Sequence, residues 1–516
     1  MREISNVLIL GGGSAGWLTA GRIAAQLQQR QPEIMVTLVE SPTLSKIGVG
    51  EGSWPSLRHT LRQIGISEQQ FLVFCQASYK QGSKFIGWRH NQPNDAYYHP
   101  FTNPTGYTEL NLVQHWQSSK TASFADSFCV QPGICEAGLA PKQQATPDYA
   151  HVLNYGYHFD ADKLAELLTL HCTQKLGVVH IRDHIEAVES HANGDIKALI
   201  GQQSGPLEAD LFIDCSGMAA RLIEKHFDVK WRSVAEVLPV NSALASQVPY
   251  VSTDAPIQST TNATAKAKGW VWDIGLYHRR GVGFAYAQEH CSDEEAHDTL
   301  YQHLKAQLPE DKLQALTFRK LSFNPGYREK LWQNNCIAIG MCAGFIEPLE
   351  ASAIAMVELS INMLCEEFPR NREHMALLSN RFNKRFAYRW QRVIDFVKLH
   401  YVLSERQDSD FWRSHRLPES IPESLHILLQ LWRYQAPSRL DFIENEEVFP
   451  STSYQYILYG MGFESDIAKD TPYFLSKARV AELQRQTELT RQKYQQGLPQ
   501  NRVLLSFLHQ KHQEMK

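Results

Sequence analysis

The stretch VLILGGGSAGW, residues 7–17, decides how the chain begins to fold. Its aliphatic residues read as a short buried strand, its glycines as a turn, and the following WLTAGRIAAQLQQ as a helix. IMVTLVE, residues 34–40, is a second strand-like run that ends on an acid. Strand, glycine turn, helix and strand make a βαβ unit. Gly11, Gly13 and Gly16 fill the G-x-G-x-x-G pattern in the context it requires, with Ser14 and Ala15 opening the helix. The first glycine permits the tight turn, the second lets backbone approach a pyrophosphate, and the third lets helix pack on strand. The helix N-terminus adds a positive dipole end. Glu40 stands 24 residues past Gly16, where an acid accepts hydrogen bonds from a ribose.

One such fingerprint implies one dinucleotide. LSKIGVGEGSWPSL, residues 44–57, follows the acid at once, with glycine at 48, 50 and 52. Alternating glycines suit a strap of backbone passing close to a flat ligand. Ile47, Gly48, Val49, Gly50 and Glu51 are therefore candidate cofactor contacts. With no second fingerprint for NAD(P)H, FAD is favoured.

The 516 residues are enough for a large core, and 43% hydrophobic with 21% charged residues is ordinary globular composition. A net charge of -4 gives no electrostatic reason to expect nucleic acid or an anionic membrane. Nine scattered cysteines without a C-x-x-C pair or ligand-spaced Cys/His cluster predict no zinc site. Their odd number points to reduced thiols and a cytoplasmic location. No run approaches the roughly 18–20 apolar residues of a membrane span. Residues 90–150, rich in Pro, Asn, Gly and Ser, read as loops and short strands. DADKLAELLTLHCTQ is helical with Asp160 and Asp162 as candidate caps, and LFIDCSG and NNCIAIG are buried strands. From about residue 365 the pattern is mostly helical. GWVWDI, residues 269–274, places two indoles on one face of a strand.

The motifs VLILGGGSAGW, IGVGEGSWPSL, YKQGSKFIGWR, YGYHFDADKLAELL, ADLFIDCSGM, GWVWDI and IEPLEASAI occur in that order. Together they resemble the flavin-dependent halogenases typified by the tryptophan halogenases. The resemblance covers most of the first 370 residues and is looser beyond. It implies an α/β, glutathione-reductase-type FAD-binding box domain over residues 1–365, with substrate-contacting loops at about 90–150. A mostly helical pyramid subdomain over 366–516 would cover the substrate.

It also implies a chemistry. Reduced FAD, O2 and halide yield hypohalous acid, which passes through a tunnel to a lysine beside the substrate. Lys80 matches that lysine, and Lys84 a framework position. An ammonium there polarises the oxidant, or a free amine forms a haloamine. Glu350 matches the catalytic glutamate that orients the oxidant and takes up the arene proton; Glu347 lies three residues earlier. Ser352 and Ala353 stand where a threonine–glycine pair holds halide through backbone N–H groups. Trp270, Trp272 and Ile274 match the G-W-x-W-x-I-P segment that walls the flavin off, with Gly275 in place of proline. His99, Phe101 and Phe449 match aromatic residues around the indole, and Glu444 an acid near the substrate amine. The lid YQAPSRLDFIENEE lacks the tyrosine pair that grips tryptophan's charged groups, so free indole or a simple indole is favoured over tryptophan. A separate NAD(P)H-dependent flavin reductase would deliver FADH2, since no reductase domain is visible.

Two other readings stand beside this one. A flavin-dependent aromatic monooxygenase shares the fold, but Ser216-Gly217 and Gly340-Met341 depart from its Asp-Gly and Gly-Asp pairs. A flavin-binding protein without halogenase activity would need neither Lys80 nor Glu350.

Overall fold

A computed structural model describes residues 3–27, 33–43, 50–108, 112–119, 122–467 and 477–514. Ile47, Gly48 and Val49 lie outside the described residues. Backbone contacts sort the chain into two compact units. One comprises Met1–Ala77, Phe159–Val234 and Asn324–Trp390; the other comprises Ser78–His158, Ala235–Phe323 and Gln391–Lys516. Each unit draws on chain from both sides of residue 365, so the units interleave along the sequence.

The first unit is built on a six-stranded sheet in the order Trp332–Gln333, Cys336–Ala338, Leu211–Asp214, Asn6–Leu10, Met35–Glu40, Val179–Arg182. All pairings are parallel except the edge pair Trp332–Gln333 with Cys336–Ala338. This is the Rossmann-like α/β arrangement expected from residues 7–40. The helix Ser14–Leu27 has 11 of its 14 residues buried, because other helices pack around it as well as the sheet. A Cβ on Gly21 would stand 3.0 Å from Cys172 Sγ on the helix Ala161–Lys175 and 3.3 Å from Ile64 on the helix Ser56–Ile64. Asp160 caps Ala161–Lys175 by accepting from the backbone N–H groups of Asp162 and Lys163. Asp162 therefore lies inside the first turn.

The second unit carries a seven-stranded sheet in the order Arg319–Ser322, Ser242–Pro249, Arg279–Tyr286, Gly269–Gly275, Thr261–Lys266, Gly82–Ile86, Ala96–Pro100. Only Thr261–Lys266 and Gly82–Ile86 pair in parallel. Val271, Phe284 and Tyr286 pack beneath the helix Asp293–Lys305 through Leu300 and Leu304. Residues 90–150 hold the loops and a short strand, Ala96–Pro100, as expected. Among the described residues they also form three short helices that were not expected, Val113–Ser119, Phe124–Phe128 and Gln131–Glu136. Helices of five to seven residues are too short to display a 3.6-residue period. The Ser and Pro that suggested loops act here as helix starters: Ser123 accepts from Asp126 N–H, and Pro132 lies in a first turn.

The helix Ser352–Glu366 is tied to Ser56–Ile64 through Glu358, which accepts from the Ser56 hydroxyl at 2.7 Å and from the Thr60 hydroxyl. Burial pushes Glu358 up to about 7 from an ordinary 4.5. The folded chain thus holds this proton more tightly than the unfolded chain, and the contribution to stability falls as pH rises between those values. The difference is on the order of 3 kcal/mol. Thermal melts of Glu358→Gln against the parent should show the variant gaining relative stability as pH rises from about 5 to about 8. A difference independent of pH would place the titration elsewhere.

Candidate active site

The glycine turn of the first unit divides its tasks among four residues. Gly11 has φ +121°, and a Cβ there would meet the Cys215 carbonyl oxygen at 2.2 Å. A Cβ on Gly16 would lie 1.9 Å from the Gly11 carbonyl oxygen. On Gly13 the same atom would meet nothing within 4 Å. The outer lip of the turn is therefore open where a pyrophosphate approaches, and the inner side is closed by backbone. A Cβ on Gly12 would collide with the Glu40 carboxylate at 1.7 Å, so Glu40 reaches across this residue. Glu40 Oε1 lies 2.9 Å from His180 Nε2, and His180 packs edge-on against Trp17. Ala15 abuts Gly340, φ +91°, beyond the strand Cys336–Ala338. Gly50 and Glu51 begin the short strand Gly50–Gly52. Burial first, and then Asp162 and Asp160, push Glu51 up to about 7. The open lip, the oriented helix terminus and the acid at the second strand together fit an FAD.

Glu350 and Ala351 are consecutive left-handed residues, with φ 65° and 53°. Such backbone costs about 1–2 kcal/mol per L-residue and persists where neighbours hold it. Here Trp54 Nε1 donates to the Glu350 carbonyl at 2.7 Å, and Ala351 N–H donates to Pro348 O at 3.0 Å. The double turn delivers the chain to the helix Ser352–Glu366, whose N-cap, Ala351, makes no side-chain cap bond. Ser352 and Ala353 are thus first-turn residues, whose N–H groups have no partner four residues earlier in the helix.

In the second unit, Lys80 ends the strand Ser78–Lys80 and is 1% exposed. Its ammonium lies 5.4 Å from the centre of the Phe101 ring. Phe101 is one residue past the strand Ala96–Pro100, and its N–H still donates to Gln81 O. Ser78 donates to the carbonyl of Gly275, which joins the lysine strand to the end of Gly269–Gly275.

The two indoles of that strand fit because their cross-strand partners are small: Ala265 and Ala285 beside Trp270, Ala263 and Gly283 beside Trp272. A Cβ on Gly283 would stand 2.2 Å from the Trp272 ring. Trp270 continues into a buried aromatic cluster with Trp88 at 6.2 Å, and Trp88 meets Trp412 at 5.3 Å. Ile274 is buried on the same strand.

His99 Nε2 lies 2.8 Å from Ser453 Oγ, and its ring is 5.6 Å from Phe396. Phe449 stacks on Phe396 at 3.7 Å and 14°. Glu444 is partly exposed, and its N–H donates to the Glu447 carboxylate. The lid before it is short and is bonded both to itself and to the helices that flank it, Glu423–Trp432 and Ser451–Gly460. Ser438 N–H donates to Asp441, Asp441 also accepts from Trp432 Nε1, and Gln455 donates to Pro437 O.

Residues 6–472 match the model of the tryptophan halogenase family. The chain belongs to that family. It is 32% identical over 483 residues to the tryptophan 6-halogenase SttH of Streptomyces toxytricini, covering 89% of this chain and 90% of that one. It is 30% identical over 494 residues to the tryptophan 7-halogenase RebH of Lentzea aerocolonigenes, covering 90% and 91%. The crystal structure of a tryptophan halogenase from Shewanella frigidimarina superposes with a TM-score of 0.95 at 46% identity, covering 99% of this chain and 98% of that one. BrvH, a flavin-dependent halogenase from Brevundimonas sp. BAL3, superposes with a TM-score of 0.84 at 29% identity, covering 98% and 99%. The protein is thus an FADH2-dependent halogenase that uses halide, and its family works with a separate flavin reductase on aromatic substrates. Among the described residues no group of His, Cys, Asp and Glu is arranged to hold a metal, and no helix is long and apolar enough to cross a membrane.

Several residues of this halogenase escape a motif reading. Gly12 sits at a variable position of the fingerprint yet makes room for Glu40. Trp54 lies within a recognised motif, but its bond to Glu350 spans 296 residues. Phe396, fully buried on the helix Arg372–Val402, looks in the sequence like any core position of a helix. Its contact with Phe449 exists only in the fold.

The glycines generate a paired test. Gly13→Ala should melt near the parent temperature and bind FAD at least about tenfold more weakly, because only the ligand would meet the added methyl. Gly16→Ala should lose several degrees of melting temperature, because its methyl meets backbone. Unaltered FAD affinity in Gly13→Ala would show that the cofactor does not pass over this turn.

Proposed function

We propose that this halogenase acts on free indole or a simple substituted indole in preference to tryptophan, with Lys80 and Glu350 as its catalytic residues. FAD is held by Gly11, Gly13, Ser14, Ala15, Gly16, Glu40, Gly50 and Glu51, with the strap residues Ile47, Gly48 and Val49. When bound in reduced form, it supplies with O2 and halide the hypohalous acid. Ser352 and Ala353 offer backbone N–H groups to bromide or chloride at the positive end of their helix. The two tryptophans and Ile274 form the wall that keeps organic substrate from the cofactor.

The observation that carries the reading is the burial of Lys80. An ammonium enclosed in a strand, beside an aromatic ring and away from bulk water, is a strong hydrogen-bond donor to a small neutral oxidant. It polarises the oxygen–halogen bond. Glu350 stabilises the positive charge that develops on the ring and accepts the departing proton. His99, Phe101 and Phe449 provide flat contacts to an indole, and Glu444 is a further substrate contact.

Preference for an uncharged indole is supported by the lid. Ser438, Asp441, Trp432 and Gln455 bond to one another and to lid backbone. A zwitterionic amino acid would need polar partners of its own there. A separate NAD(P)H-dependent reductase would regenerate FADH2.

Mass spectrometry of reactions with a flavin reductase, NADH, FAD, bromide or chloride, and indole or tryptophan tests this. Halogenated indole should exceed halogenated tryptophan. Lys80→Ala and Glu350→Gln should each lose at least about a hundredfold in product, the scale of a removed acid–base or electrostatic group. Preferred halogenation of tryptophan would overturn the substrate proposal, and full activity in Lys80→Ala would overturn the mechanism. Hydroxylated indole without halogen would favour the monooxygenase reading of the site.

A further inference from the structure

The strand Ser78–Lys80 and residues 156–158 form an antiparallel ribbon with two unlike faces. Tyr79, Tyr155 and Tyr157 fill one face, with ring centres 5.1 Å, 5.6 Å and 6.5 Å apart. Side chains alternate along a strand, so Ser78, Lys80, Gly156 and His158 share the other. The register sets Ser78 opposite His158 and Lys80 opposite Gly156. No side chain therefore stands across from the lysine. Its diagonal neighbour is His158, about 7–8 Å away between Cα atoms and less between side chains. Ser78 is engaged with the Gly275 carbonyl.

His158 is fully buried. Its Nε2 lies 2.9 Å from Thr261 Oγ1, and its Nδ1 is buried with no hydrogen-bond partner. A buried polar atom left unpartnered is costly, so such an atom is uncommon without a reason. Burial first, and then the Lys80 charge, hold this imidazole well below its ordinary value, so the ring is neutral. In the tautomer whose Nε2–H donates to Thr261 Oγ1, Nδ1 is an acceptor, and its ring stands on the ribbon face that carries Lys80.

We infer that His158 binds the oxidant: its Nδ1 accepts the O–H of hypohalous acid while the Lys80 ammonium donates to the same oxygen. The halogen is then the one atom of the oxidant left free to meet the ring. This rests on the assignment of Lys80 as the residue that receives the oxidant. In the transfer, a carbon–halogen bond forms and the oxygen–halogen bond breaks, with its electron pair staying on oxygen. That oxygen takes a proton from Lys80 and leaves as water, while the arene proton passes to Glu350. Lys80 regains a proton from solvent and Glu350 returns one. The sum is arene plus hypohalous acid giving haloarene plus water. Without Nδ1 the oxidant is held by one hydrogen bond instead of two, so it turns more freely and escapes more often.

The test uses the full chain with reductase, NADH, FAD, bromide and indole. It measures brominated indole, flavin oxidised, and hypobromous acid reaching solution, the last with a β-diketone trap. His158→Phe keeps a ring and removes Nδ1. It should lower product per flavin oxidised at least about tenfold and raise escaped oxidant per product by a similar factor. His158→Asn, whose amide oxygen stands near the Nδ1 position, should recover part of both. His158→Gln, which replaces only the Nε2 side, should behave like His158→Phe and serves if the phenylalanine variant does not fold. An unchanged ratio of escaped oxidant to product in the phenylalanine or glutamine variant overturns the inference. So does equal loss in all three variants without added escape, which would mark a packing role for the ring. A parent enzyme that makes no brominated indole would instead count against the proposed indole substrate, and the same two ratios are then read with tryptophan.

Discussion

Gly11 passes so close to the Cys215 carbonyl, and Gly16 so close to Gly11, that no side chain fits at either place. This near-contact of backbone with backbone seats the helix Ser14–Leu27 at the end of the parallel sheet. Much of the first unit follows from it. A helix held that deep is buried on nearly all sides, so Gly21 must stay small against Cys172 and Ile64. The same approach brings Gly340 against Ala15, and Gly340 precedes the strained turn at Glu350 and Ala351 by ten residues.

The second unit solves a different problem, which is how to bury cations and large rings in a sheet. Trp270 and Trp272 fit because alanine and glycine face them on both neighbouring strands. Lys80 fits because Gly156 faces it. In each case a small residue one strand away creates the room, and the large residue supplies the chemistry. Ser78 links the two arrangements by bonding the lysine strand to Gly275. At Gly275 itself a Cβ would stand 3.0 Å from the Tyr250 hydroxyl.

The aromatic residues around His99 show how far a motif reading extends. His99 and Phe449 are recognisable one by one, yet Phe396 joins them from a long helix and stacks on Phe449. Phe101 continues the spacing of its strand but stands beyond its end. The short helices between residues 113 and 136 were illegible because a helix of one or two turns shows no period, and its serines and prolines resemble those of loops.

Residues 7–17 with Glu40 were enough for the βαβ unit and its dinucleotide preference, because glycine turns, helix starts and strand alternation act over a few residues. The order of motifs along the chain was likewise enough for the family. The bond from Trp54 to Glu350, the carboxylate of Glu40 laid over Gly12, and the pairing that puts His158 diagonal to Lys80 came only with the fold. Each joins positions from 28 to 296 residues apart, and strand register and burial, which set such contacts, are decided by the packing of the whole chain.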